Sequence, residues 1–314
     1  METALLLFNS ILVMFLMLLA GYGLAKSGTM KKEDSHGLSL LLLYVIFPCV
    51  IINSSQIEYS DSRLLGLGIA ALAAIIVHVI YIGIGKLLGK WCGFSPMERA
   101  SVIYTNSVNL IIPIVVSILG PEYTLYTCAY GSVMAILIWT HCYALMSGAS
   151  LKQNLLKAFC NVNVIAIVIA VVLFVLQIGI WTPVKEAMNG IGLSIGPVSM
   201  ILMGMVIGFG QFGSQLKNPR VYCISALRLL VAPLCCLPVY MLMAWVLREN
   251  LPNIKGILYV SYLAATAPCA VFVMQFSLLF KKDSGYAGTI NVVSTLLCIL
   301  TMPLMAWLFD ALIA

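Results

Sequence analysis

Two stretches of the chain decide its fold: ERASVIYTNSVNLIIPIVV at residues 98–116 and YVSYLAATAPCAVFVMQFS at residues 259–277. Each is an apolar run with a proline inside it. Proline has no N–H to donate, and its ring clashes with the carbonyl four residues back, so it kinks or breaks a helix. In the first stretch Pro113 directs that clash at the carbonyl of Asn109, and in the second the proline is Pro268. We therefore expect two interrupted helices.

The composition around these stretches is that of an integral membrane protein. The chain has 314 residues, of which 62% are hydrophobic and only 9% charged, and its mean hydropathy is +1.07. A soluble domain carries about 25% charged residues. The ten cysteines lie mostly in apolar runs and show no CxxC or Cys/His spacing. A disulfide scaffold is therefore excluded, and we expect no metal site and no cofactor.

The apolar runs predict an all-α fold with ten transmembrane helices, since a helix crosses the bilayer core in about 20 apolar residues. The predicted spans 1 to 10 cover residues 4–26, 37–54, 64–89, 98–118, 122–147, 157–179, 186–210, 221–247, 254–279 and 286–312.

The basic residues predict the orientation of these spans. Twelve of the 17 Lys and Arg residues follow the odd-numbered spans, and four follow the even-numbered ones. Cytoplasmic loops carry the excess of Lys and Arg, so we expect both termini outside the cytoplasm. The first set is Lys26, Lys31, Lys32, Lys86, Lys90, Arg99, Lys152, Lys157, Lys217, Arg220, Lys281 and Lys282, and the second is Arg63, Lys185, Arg248 and Lys255.

The prolines also indicate an internal repeat. Pro48 in span 2 and Pro197 in span 7 are 149 residues apart, and Pro113 in span 4 and Pro268 in span 9 are 155 apart. Five spans per half is an odd number, so the second half would enter the membrane from the opposite side. We expect residues 1–150 and 151–314 to be two inverted five-helix repeats. Such repeats place a binding site near the midplane, on interrupted helices.

Three segments resemble the auxin efflux carrier family, which includes bacterial organic-acid permeases and the plant PIN-type carriers. They are GYGLAKSGTMKKEDSHGLSLLLLYVIFPC at residues 21–49, the Asn-x6-Pro element from Asn106 to Pro113, and STLLCILTMPL at residues 294–304. The resemblance covers essentially the whole chain. It implies a multi-pass protein of the plasma membrane, here the inner membrane of a bacterium.

The resemblance also implies an architecture and a site. Spans 1, 2, 6 and 7 would form a scaffold, and spans 3–5 and 8–10 a transport domain. Spans 4 and 9 would cross at their prolines, and an organic anion would bind where the crossing faces spans 2 and 7. The family's substrate-contacting Asn in span 4 corresponds to Asn106. Asn53 and Met203 would face the crossing from spans 2 and 7.

The polar residues inside the spans suit an anion site. Asn106, Ser107 and Asn109 gather amides and a hydroxyl near Pro113, and no carboxylate lies at midmembrane depth. Helix N-termini present unpaired N–H groups and a partial positive charge, so they hold an anion without a full countercharge. Gln275 follows Pro268 by seven residues; it either lines the pathway or bonds to a neighbouring helix.

Three ionisable residues within the spans have two interpretations each. His78 and His141 are either proton-coupling groups, since histidine titrates near neutrality, or neutral residues that bond to a neighbouring helix. Arg228 attracts the anion along the cytoplasmic route, or extends its long stem so that the guanidinium reaches the membrane interface.

Our leading hypothesis is a secondary transporter that moves small mono- or dicarboxylates by alternating access. The alternative is a sodium-coupled symporter of larger amphipathic anions such as bile-acid-like molecules. A membrane enzyme or a non-transporting sensor is a third hypothesis. An enzyme is disfavoured, because the midmembrane region offers only amides, hydroxyls, thiols and isolated histidines. We expect the lipid bilayer and an organic anion as partners, and no nucleic acid. Sodium or a proton as coupling ion, and a homodimer, stay open.

Overall fold

The computed structural model describes residues 2–148, 162–210, 215–249, 251 and 253–313, and every regular element in these ranges is a helix. The α-helices are α1 (Glu2–Lys26), α2 (Lys32–Leu41), α3 (Phe47–Ser54), α4 (Asp61–Trp91), α5 (Pro96–Ile103), α6 (Ser107–Ile118), α7 (Thr124–Leu137), α8 (Tyr143–Ser147), α9 (Val162–Val175), α10 (Thr182–Leu193), α11 (Ile195–Phe209), α12 (Pro219–Ala226), α13 (Ala232–Leu247), α14 (Ile254–Thr266), α15 (Val271–Leu279) and α16 (Ser284–Leu312).

Six helical segments in the described ranges are long and apolar enough to cross a membrane. They are Lys32–Ser54, Asp61–Trp91, Pro121–Ser147, Thr182–Phe209, Pro219–Leu247 and Ser284–Leu312. They coincide with predicted spans 2, 3, 5, 7, 8 and 10. The start of predicted span 6, residues 157–161, lies outside the described residues. The all-helical character of the chain is confirmed, whereas the count of ten spans and the inverted repeat stay predictions.

Predicted spans 4 and 9 are each built from two short helices. α5 ends at Ile103 and α6 begins at Ser107, while α14 ends at Thr266 and α15 begins at Val271. The expected position of the first break was wrong. Pro113 lies within the range of α6, and the chain departs from helix at 104–106, upstream of Asn109. Pro268 lies in the second break itself. Span 4 is thus interrupted at the residues whose backbone pairs with the second break, and not at Pro113.

Other prolines are accommodated by local changes of the helix. A π-helical turn at Leu42–Ile46 precedes Pro48, and a second one at Leu227–Val231 precedes Pro233. A break at Ser194 separates α10 from α11 just before Pro197. The carbonyl that each proline ring would meet lies four residues back. For Pro48 and Pro233 that carbonyl, of Tyr44 and Leu229, belongs to the π-helical turn. For Pro197 it belongs to Leu193, the last residue of α10 before the break.

Two groups of helices pack among themselves. α1 lies along α11, and α3 contacts α9 and α10. In the other group α4 contacts α5, α7, α13 and α14, and α16 contacts α12, α14 and α15. A Cβ added to Gly204 of α11 would lie 1.9 Å from the carbonyl oxygen of Leu18 in α1, so this contact requires glycine. α1 also contacts α6 and α16. The division into a scaffold and a transport domain stays a prediction.

Polar contacts join neighbouring segments at the two ends of the molecule. At one end Arg220, at the start of α12, forms an ion pair of 2.9 Å with Glu98 of α5, and the Tyr286 hydroxyl of α16 donates to the same carboxylate. At the other end Gln56 accepts from the backbone N–H of Ile180. We call the first the basic end, because it carries the loops rich in Lys and Arg. We call the second the vestibule end, after the large cavity described below.

Candidate functional site

The two helix breaks meet and pair through their backbones. The N–H of Asn106 donates to the carbonyl of Pro268 across 2.8 Å, and the N–H of Ala270 donates to the carbonyl of Tyr104 across 3.0 Å. Thr105 and Cys269 thereby form an isolated antiparallel bridge. We call this pairing of residues 104–106 with 268–270 the crossing. It satisfies backbone groups that would otherwise be unpaired in an apolar interior.

Two helix N-termini open onto the crossing. α6 begins after Asn106 and α15 begins after Ala270. The Asn106 side chain does not cap α6. It is only 4% exposed, and its Nδ2 has no hydrogen-bond partner among the described residues. A buried donor left unpaired costs about 1–3 kcal/mol. This amide is therefore a donor available to a bound ligand.

The Asn106 amide lies at a small cavity of about 50 Å³, the crossing cavity. Its wall includes Thr105, Phe47 of α3, Trp139 and Phe272 of α15. A neighbouring cavity of about 30 Å³, the Gln275 cavity, shares Phe47 and Phe272 and adds Met203 and Gln275. Spaces of this size hold a water molecule or two. An organic acid would require the helices around Phe47 and Phe272 to separate.

A much larger cavity of about 700 Å³, the vestibule, opens at the other end. It lies between the two helix groups, and its lining includes Asn53, Lys185 and Asn189. The amide of Asn53 donates to Asn189 across 3.3 Å. Val50, Ile112 and Ile195 line the vestibule and belong to the same buried apolar cluster as Phe47 and Ile51 of the crossing cavity. The same apolar cluster therefore contributes to the walls of both cavities.

Arg228 does not reach the membrane interface, as one of our two interpretations required. It is fully buried, at 0% exposure. Its Nε donates to the carbonyl of Ala267 at 3.0 Å and its Nη1 to the carbonyl of Val102 at 2.9 Å, while Nη2 donates to Ala265. The interface interpretation was wrong, because the guanidinium finds acceptors inside the protein, where α5 and α14 end. Attraction of an anion by Arg228 stays a prediction.

A comparison with protein families agrees with this geometry. The family described as membrane transport protein matches the chain over residues 6–153 and 147–306. The chain belongs to the auxin efflux carrier family of membrane transport proteins. No curated protein matches the chain. As a member of this family the protein is a multi-pass membrane transporter.

The remaining expected site residues of this carrier lie in different places. Ser107 is buried and donates its hydroxyl to the sulfur of Met134 at 3.2 Å. Gln275 donates to the Ser39 hydroxyl at 2.7 Å, so it both bonds to another helix and lines a cavity. The side chains of Asn109 and Pro113 lie outside what the structure describes. Asn106, Gln275 and Asn53 thus line three separate cavities in this conformation.

The two expected coupling histidines differ in their surroundings. His78 is fully buried in α4, where Nδ1 lies 2.7 Å from the carbonyl of Ala74, so that nitrogen carries the hydrogen. The ring of Tyr130 lies 5.3 Å away. Nδ1 of His141 lies 2.7 Å from the hydroxyl of Tyr104, the residue whose carbonyl pairs at the crossing. A role of either residue in proton coupling stays a prediction.

Several residues at the crossing were not anticipated from the sequence. The Asn291 amide of α16 donates to the carbonyl of Cys269 at 2.6 Å, and the Ser294 hydroxyl accepts from the N–H of Cys269 at 3.2 Å. Tyr81 of α4 donates to the carbonyl of Ala265 at 3.0 Å. Asn291 and Ser294 are three residues apart in an apolar run. Their shared helix face was the one signal that could have found them.

Proposed function

We propose that this carrier moves small organic anions, mono- or dicarboxylates, by alternating access, and that the anion binds at the crossing. The observation that carries the proposal is the buried Asn106 amide, which has no partner among the described residues and lies where two half-helices begin. A carboxylate accepts a hydrogen bond from this amide and from unpaired N–H groups of α6 and α15. Their positive dipole ends favour negative charge.

The apolar part of the anion would contact Phe47 and Phe272. These two rings lie in the walls of both small cavities, so separating them merges the cavities into one. A space that joins amide donors on one side to aromatic rings on the other suits a molecule with a carboxylate and a short carbon skeleton. The identity of the acid depends on how far the rings separate.

Alternating access would follow from movement between the two helix groups. The transport domain (spans 3–5 and 8–10) would move against the scaffold (spans 1, 2, 6 and 7), within two inverted repeats of five spans. Towards the vestibule the apolar cluster around Ile112 must open, and towards the basic end the Gln275–Ser39 bond must break. By the count of Lys and Arg the vestibule end is extracellular, so both termini are outside and the vestibule receives external solute.

A sodium-coupled symporter of larger amphipathic anions is the alternative. The vestibule favours it in one respect, because about 700 Å³ is ample for a molecule of that size. Sodium dependence of uptake separates the two hypotheses. A transporter for small acids that needs no sodium would be active when choline replaces sodium, whereas the symporter would be inactive.

Uptake of labelled acids into proteoliposomes tests the proposal. A panel of lactate, pyruvate, benzoate, succinate and malate is presented to the wild-type protein, to Asn106→Ala and to Asn9→Ala. Asn9 is an exposed residue of α1 and serves as the matched control. We expect at least one acid to be taken up by the wild type and the control, and its uptake to fall more than tenfold in Asn106→Ala. Equal uptake by all three proteins would remove Asn106 from the site.

A further inference from the structure

The guanidinium of Arg228 connects the two half-helices that end at the crossing. α5 ends at Ile103, and its Val102 carbonyl accepts from Arg228 Nη1. α14 ends at Thr266, and the carbonyls of Ala265 and Ala267 accept from Nη2 and Nε. The last carbonyls of a helix have no partner within the helix. One side chain thus binds the open carbonyl ends of both helices.

No carboxylate neutralises this cation in the described part of the chain. The ion pairs there are Arg220–Glu98 and Lys255–Asp310. The partners of Arg228 are carbonyl dipoles, together with the ring of Tyr81, whose centre lies 4.7 Å from the guanidinium carbon. A fully buried charge with no ionic partner is costly and marks functional sites in membrane proteins.

The charges around the crossing do not cancel. A helix N-terminus carries about half a positive charge, and a C-terminus about half a negative one. The N-termini of α6 and α15 therefore offset the C-termini of α5 and α14, and Arg228 leaves a net charge of about +1. Without the guanidinium the negative ends of α5 and α14 would oppose anion binding beside them.

We propose that Arg228 is the fixed cation of the crossing, and that it makes the site selective for a singly charged organic anion bound without a co-transported cation. This inference rests on the proposed function. Arg228 acts as a positioning residue: Ala267, its acceptor, precedes Pro268, and the Pro268 carbonyl accepts from Asn106. Arg228 thereby keeps the two breaks paired and supplies the positive charge beside them. Because Arg228 already occupies these carbonyls, a coupling ion such as sodium has no role there.

Arginine suits this position better than lysine. The planar guanidinium carries N–H groups that point in several fixed directions, whereas an ammonium group is a compact point charge. Arg228 uses three of its nitrogens on three carbonyls from two helices. Lysine would keep the charge and lose this geometry, and methionine would keep much of the volume and lose the charge. These two substitutions therefore separate charge from shape.

The test measures charge selectivity in proteoliposomes. Wild type, Arg228→Lys, Arg228→Met and Arg248→Ala are compared for the monoanion lactate and the dianion succinate. Arg248 is exposed and serves as the control. In the wild type and the control we expect a KM for lactate at least tenfold below that for succinate, and more succinate uptake at acid pH, where its monoanion forms. Arg228→Met should lose this preference, whereas Arg228→Lys should keep most of it.

A second readout covers variants that fold poorly. The melting temperature of Arg228→Ala is measured with and without millimolar methylguanidinium, which can refill the vacated place, and we expect a rise that Arg248→Ala does not show. If neither lactate nor succinate is transported, the melting temperature of the wild type is measured with each acid of the panel. The monoanions lactate, pyruvate and benzoate are then compared with the dianions succinate and malate. Only the monoanions should stabilise the protein.

The outcomes distinguish this inference from the proposed function. Retained preference for lactate in Arg228→Met, loss of wild-type uptake when choline replaces sodium, or equal stabilisation by monoanions and dianions would each overturn the role of Arg228 and leave anion transport standing. A wild-type protein that neither transports nor is stabilised by any acid of the panel would overturn both.

Discussion

Tyr81 and Arg228 donate to the same carbonyl oxygen, that of Ala265, from two different helices. The tyrosine belongs to α4, and the arginine lies in the π-helical turn of span 8. Both side chains are fully buried, and the Tyr81 ring lies against the guanidinium. The end of α14 is therefore held from two sides, so the break in span 9 is an organised feature of the core.

Removing the Tyr81 hydroxyl should weaken the protein slightly. Tyr81→Phe loses one hydrogen bond and keeps the ring over Arg228, so we expect a loss of about 1 kcal/mol in unfolding free energy. Tyr81→Ala also removes the ring and should cost about 3–5 kcal/mol. Melting in detergent measures both, with Tyr222→Phe on the exposed face of α12 as the control. A Tyr81→Phe protein as damaged as Tyr81→Ala would contradict the hydrogen-bond account.

Gly204 should not tolerate a side chain. A Cβ at this position would lie 1.9 Å from the carbonyl oxygen of Leu18, a backbone atom that cannot move without shifting α1. Gly204→Ala should therefore destabilise the protein by about 1–3 kcal/mol, the usual cost of overpacking. Gly83→Ala is the matched control, because an added Cβ there meets nothing within 4 Å. Equal melting temperatures for the two variants would refute the close contact of α1 with α11.

Breaking the Gln275–Ser39 bond should expose the crossing from the basic end. Gln275 of α15 and Ser39 of α2 are joined by a bond of 2.7 Å beside the Gln275 cavity, which shares Phe47 and Phe272 with the crossing cavity. We expect Gln275→Ala to raise the rate at which a polar thiol reagent labels the buried Cys269 by severalfold. Mass spectrometry of the peptide that contains Cys269 measures the rate.

Gln56→Ala is the control for this labelling experiment. Gln56 also joins two spans, but at the vestibule end, through the N–H of Ile180. Its loss should leave the labelling of Cys269 from the basic end unchanged. A rate that rises equally in both variants would indicate general loosening and would contradict a local closure at Gln275.

A negative charge at Asn106 should be worse than the loss of the amide. Asn106→Asp places a carboxylate at a buried position beside the two helix N-termini, where it would occupy the place of the substrate's own carboxylate. We expect uptake of the best acid of the panel to fall further than in Asn106→Ala, to background. Uptake above that of Asn106→Ala would show that no anion binds beside this residue. Far-UV circular dichroism checks that both variants keep their helical content.

Much of this fold could be read from the sequence, because a helix that faces lipid must be a long apolar run. Six predicted spans coincide with long helices of the structure, and the family resemblance is confirmed by the family match. The site was predicted less well. Asn106 was named for its place before Pro113, but its buried and unpaired amide depends on how the crossing folds around it.

The sequence by itself determined that the chain is helical, apolar and a transporter of its family, since hydropathy and motifs are local properties. Only the tertiary structure decided where span 4 breaks and what Arg228 does. A helix end leaves carbonyls and N–H groups open, and their partners come from segments far away in the chain. Pro268 pairs with Asn106, and Arg228 binds carbonyls of both α5 and α14. Such pairings leave no periodic mark in a sequence, because each depends on the packing of the whole helix group.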